Sequence, residues 1–138
     1  MNLIILLQIA GLLHLGLLVV GLMMPRVVDF DRHVASLPPF LRQLFRVYYA
    51  FIGGIIIAFG AISFFLAGQL VAGGPVATAM LLVMLIFWLA RFAVALFVFD
   101  LSPFLTTRWR RIGHHTINLA FLYLPVVYGY ALWKGIAP

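Results

Sequence analysis

The sequence predicts an all-α fold, an integral membrane four-helix bundle with short loops, and three observations carry that expectation. Apolar residues make up 66% of the chain and charged residues 9%, whereas soluble domains run at about half apolar and about a quarter charged. The mean hydropathy is +1.20. Four apolar stretches stand near the length of about 20 residues that a helix needs to cross the hydrocarbon core. The 138 residues are filled by four spans and their connections, so residues 1–138 form one membrane domain.

The first span is predicted over about 3–24, which contain no charged residue. A cleaved signal would carry a basic start, a shorter apolar core and a small-residue cleavage site; here the chain starts Met1-Asn2 and the run ends at Met23-Met24-Pro25-Arg26. It is therefore expected to remain in the mature protein. Residues 25–46 hold four of the nine Lys and Arg and two of the three acids, marking a wet loop. Within it Pro38-Pro39 can open a helix, because proline at the first helical position forfeits no hydrogen bond. Phe40, Leu41, Leu44 and Phe45 follow beside Arg42 and Arg46, as in an interfacial turn running into the next span.

The second span is predicted over about 47–70 and the third over about 76–99. Val71-Ala72-Gly73-Gly74-Pro75 between them has the composition of a tight turn, so the two form a central antiparallel hairpin. Asp100 to Thr116 reads as a second basic loop, and the fourth span is predicted over about 117–133, closed by Lys134. Trp109 and Trp133 flank it, as amphipathic rings do at the headgroup layer.

Orientation follows from the arginines. Arg26, Arg32, Arg42, Arg46, Arg108, Arg110 and Arg111 lie in the two long loops, and basic residues near span ends stay on the cytoplasmic side. Both termini are thus expected to be non-cytoplasmic, in a bacterial inner membrane. The formal charge of +6 is accounted for by topology and anionic lipid headgroups, not by nucleic acid.

In lipid, helices associate through close packing of small residues. Ala50, Gly54 and Ala58 recur every four residues on the second span, beside Gly53, Gly60 and Ala61, and the third span offers Ala90, Ala93 and Ala95. This stripe serves either as an internal seam of the bundle or as an interface in an oligomer. The thirteen Phe are spread widely and single out no site.

Few residues can carry chemistry. Cysteine and glutamate are absent, which removes disulfides, iron–sulfur clusters and Cys-based zinc sites. No nucleophile setting or phosphate-binding glycine loop occurs, so an enzyme is disfavoured. His33, His114, His115, Asp29, Asp31 and Asp100 gather toward the basic side, but adjacent His114 and His115 diverge on a helix and no metalloprotease spacing is present. No metal is predicted.

Ionisable groups inside spans are expensive and mark candidate sites. His14 and Arg91 each fall roughly 13–15 Å from the basic boundary at about 1.5 Å per residue, and the same count brings Tyr123 and either Gly54 or Ile55 to their level. Arg91 must find an acceptor, a wet cavity or a route to the interface, since it stays charged. His14, with Ala10 one turn before it and Gly11 and Gly16 near, would leave a low surface that a flat macrocycle can approach. Ala-x-x-x-His resembles the helix motif of bacterial light-harvesting polypeptides, whose His is an axial ligand of bacteriochlorophyll; haem iron can use the same geometry. His14, Arg91 and Tyr123 are accordingly the candidate cofactor-binding residues, with haem, a chlorophyll-type pigment or a quinone as the ligand, against the alternative of a His hydrogen-bonded inside the bundle.

From Arg46 to Pro103 the pattern FRVYYAFIGGIIIAFGAISF followed by WLARFAVALFVFDLSP resembles the DoxX-like small four-helix membrane proteins. The matching positions are Arg46, Gly53, Gly54, Gly60, Arg91, Asp100 and Pro103. The resemblance implies an accessory subunit of a membrane oxidoreductase or a protein with no assigned reaction. The expectation is an accessory or assembly subunit, linked to electron transfer or quinone, whose partners are the lipid bilayer and other membrane subunits or further copies of itself. A tetrapyrrole- or quinone-binding protein and a small transporter or channel stand as the alternatives.

Overall fold

The computed structural model describes residues 2–100, 103 and 106–136. Its elements are α1 (Leu3–Val27), α2 (Phe30–Val34), α3 (Pro39–Phe65), α4 (Ala67–Ala72), α5 (Pro75–Phe97) and α6 (Arg108–Ile136). Four of these, α1, α3, α5 and α6, are long and apolar enough to cross a membrane, and no strand occurs among the described residues. The chain is an all-α, integral membrane four-helix bundle.

Local sequence explains the ends. Asn2 caps α1 by accepting from the Ile4 amide at 3.1 Å, a standard way to satisfy a first-turn donor. Pro39 opens α3 and Pro75 opens α5, both at the first helical turn. Between α4 and α5 the chain turns at Gly73 (φ +79°) and Gly74 (φ +101°), conformations glycine adopts without steric cost.

The helices run beyond the apolar stretches that define the spans. α3 starts eight residues before Val47, so Phe40 to Arg46 form its first two turns. α6 begins at Arg108, not at Ile117, and draws Trp109 to Thr116 out of the expected loop. Arginine is a good helix former, and hydropathy senses the hydrocarbon boundary, not the end of the backbone hydrogen bonds. The second predicted span also divides at Leu66, beyond which the short α4 carries the chain to the turn. Of the expected basic loop, residues 101, 102, 104 and 105 lie outside the described residues.

The closest backbone packing pairs α1 with α3 and α5 with α6, with α1 also against α6. α3 and α5, joined by the hairpin, meet mainly through side chains such as Phe59 and Phe87, whose rings stand edge to face at 5.3 Å. The α1–α3 seam is made by two glycines. A Cβ on Gly11 would fall 2.7 Å from Phe64 Cβ and 2.9 Å from the Gly60 carbonyl oxygen, and one on Gly60 would fall 2.8 Å from His14 Cβ. Ala50, Gly54 and Ala58 do not build this seam. All three are exposed, and a Cβ added to Gly54 would meet nothing within 4 Å. The internal-seam reading of that stripe is therefore corrected: the face of α3 that meets α1 is the one carrying Gly60, and the stripe points away from the bundle.

Candidate functional site

The buried polar side chains lie in the bundle centre, and all four spans reach them. His14 of α1 is 1% exposed and Ser63 of α3 is 0% exposed. Trp88 of α5 and Tyr128 of α6 are the two largest fully buried side chains. His14 Nδ1 lies 2.7 Å from the Ala10 carbonyl oxygen, and since a carbonyl only accepts, Nδ1 carries the proton. Nε2 then holds the lone pair, and Trp88 Nε1–H donates to it at 3.1 Å. The two rings meet edge to face at 5.0 Å. The imidazole is thus neutral with its tautomer fixed from both sides.

A second pair sits beside it. Tyr128 Oη is 2.6 Å from Ser63 Oγ, and Ser63 Oγ–H donates to Met84 Sδ at 3.8 Å. Ser63 has one proton, so Tyr128 donates to Ser63 and Ser63 to the thioether. Every buried side-chain nitrogen and oxygen among the described residues is satisfied, as a membrane interior with no water requires.

The other two candidates find different partners. Arg91 is half-buried, and its guanidinium lies 5.5 Å from the Phe99 ring centroid and 5.4 Å from that of Phe121. Phe99 follows the C-terminal end of α5, so the side chain reaches toward the arginine-rich end of the bundle with its charge against two ring faces. It also interacts electrostatically with Tyr49, whose hydroxyl donates to the Gly21 carbonyl. Tyr123 Oη donates to the Leu6 carbonyl oxygen at 3.1 Å. His14, Arg91 and Tyr123 therefore occupy three separate settings, with Trp88 and Phe121, 5.8 Å apart, between the first two.

The low surface that Gly11 provides beside His14 is filled by α3, whose Gly60 and Phe64 press against it. Sequence reasoning located His14 but missed Trp88, Ser63 and Tyr128. A Trp among apolar residues carries no mark of its partner, whereas Ser63, a small polar residue mid-span, was a usable signal.

Toward the arginine-rich end, His33 Nδ1 donates to the Asp29 carbonyl oxygen at 3.0 Å. His114 Nε2 lies 3.0 Å from Asn118 Nδ2, an amide that donates. No group of three or more potential metal ligands occurs among the described residues. Arg46 pairs with Asp31 at 3.2 Å.

The outer surface carries a groove of about 450 Å³ on α3, floored by Ala50, Gly54 and Ala58 and walled by Val47, Phe51 and Ile55. It lies away from the hydrogen-bonded centre, and its lining is almost wholly apolar. No family model, curated protein or solved structure matches this chain.

Proposed function

We propose that this small polytopic membrane protein is a non-catalytic accessory or assembly subunit of a larger membrane complex in a bacterial inner membrane, and that it docks a transmembrane helix of a partner subunit in the α3 groove. One observation carries the reading: a small-residue stripe at four-residue spacing, Ala50, Gly54 and Ala58, stands exposed on a span with larger side chains on its rims. Small residues at that spacing let a second backbone approach closely, which is how helices associate where burial alone gives no driving force.

The interior supports the same reading from the other side. His14 uses both ring nitrogens within the bundle, and a tetrapyrrole metal on Nε2 would have to displace the Trp88 N–H and open the Gly11–Gly60 seam. Electron transfer or quinone chemistry, in keeping with the DoxX-like pattern, then belongs to the partner subunit.

Gentle solubilisation of the chain at its native level, followed by identification of what travels with it, tests the proposal. A membrane polypeptide is expected to co-purify with the wild type and to be lost from Gly54→Leu, which fills the groove. The same loss is not expected from Gly68→Leu, where a side chain also meets open space. A lone monomer in every mild detergent, or equal retention by Gly54→Leu, contradicts it.

A further inference from the structure

A second crevice, of about 310 Å³, opens at the arginine-rich end of the bundle, where α1 finishes and α3 enters the apolar layer; it is lined by Met24, Pro25, Val28, Phe30, Asp31, Arg46 and Tyr49. We propose that it binds the headgroup and first acyl carbons of an anionic phospholipid, with Arg46 taking the phosphate.

The lining is almost wholly apolar and suits acyl carbons, with Met24, Pro25, Val28 and Phe30 making a wall continuous with the span, while the exposed charges of Arg46 and Asp31 stand at its rim. Arg46 and Asp31 are the charged residues of the lining, and they pair with each other at 3.2 Å.

Arg46 can make the exchange. Its ion pair with Asp31 is open to solvent, with the two side chains 66% and 86% exposed, and pairs in that setting hold weakly. Guanidinium offers phosphate a two-pronged contact stronger than a single exposed N–H···O bond. Tyr49 is held in place by its bond to Gly21 at the end of α1, so one wall is fixed before the lipid arrives. Basic pockets between spans at a membrane surface are recognised as headgroup sites, and the apolar wall distinguishes a lipid from free phosphate.

Native mass spectrometry of the full chain released from nanodiscs of equal phosphatidylglycerol and phosphatidylcholine tests this. One phosphatidylglycerol is expected to be retained per chain in preference to phosphatidylcholine. Arg46→Gln should reduce that retention about fivefold, the scale of one basic contact at a charged surface, and Asp31→Asn should raise it by freeing the guanidinium. Arg108→Gln, with the same charge change on α6, should leave it unaltered. Val28→Trp, which fills the crevice and removes no charge, should also abolish it. Equal retention of both lipids, equal losses in Arg46→Gln and Arg108→Gln, or displacement of the lipid by millimolar inorganic phosphate would overturn the proposal.

Discussion

His14 is where a single side chain ties the bundle together. A histidine in hydrocarbon is tolerable only if neutral and satisfied at both nitrogens, and Ala10 on its own helix and Trp88 on α5 supply the two partners. Trp88→Phe keeps an aromatic side chain, though a smaller one, and deletes the donor, leaving Nε2 buried without a partner. It is expected to destabilise the bundle by about 0.5–2 kcal/mol, read as a lower thermal midpoint in detergent, and a His14–Trp88 double-mutant cycle should recover most of that loss as coupling. Gly60→Ala acts at the same point by contact alone, since its Cβ would stand 2.8 Å from His14 Cβ. Overpacking of this kind costs about 1–3 kcal/mol, and the same thermal measurement should report it. Arg91 illustrates the complementary solution, a charge that cannot be shed but extends toward the membrane surface between Phe99 and Phe121.

At the scale of the helix, each span presents one face inward and another to lipid, and composition alone does not tell them apart. On α3 the inward face carries Gly60 and Ser63 and the outward face Ala50, Gly54 and Ala58. Both are rich in small residues. The stripe was legible in the sequence but its direction was not, because in a lipid solvent the buried and exposed faces of a span are equally apolar. The start at Pro39 and the turn at Gly73-Gly74 were legible, since proline and glycine act through backbone geometry that no tertiary contact has to supply. The true start of α6 was not, because Arg108 to Thr116 look like loop to a hydropathy reading, although Arg108, Arg110 and Arg111 are good helix formers. Two substitutions separate these roles. Gly73→Ala, at φ +79°, should cost about 1–3 kcal/mol through backbone strain, visible as a lower midpoint. Gly54→Leu meets open space and should leave the isolated chain's midpoint unchanged.

For the molecule as a whole, the pairing of helices was the least legible property. Hydropathy gives four spans and their order, but the choice of α1 with α3 and α5 with α6 as the intimate pairs rests on specific meetings: Gly11 against Gly60, and Gly129 with Leu85 Cδ1 3.7 Å from its added Cβ. The polar centre follows from that arrangement, since only a closed bundle brings His14, Ser63, Trp88 and Tyr128 together from four helices. Satisfied inside, the protein carries an open apolar groove on the outside of α3, and the assembly role proposed above rests on that contrast.

Cross-linking in native membranes from single cysteines, introduced one at a time along 47–60 of this Cys-free chain, tests that role most directly. Adducts to a partner subunit should peak at Ala50, Gly54 and Ala58 and fall at Gly53, Ile56 and Gly60. Uniform reactivity along α3, or no adduct at the stripe, would contradict the assignment of this face as the docking surface.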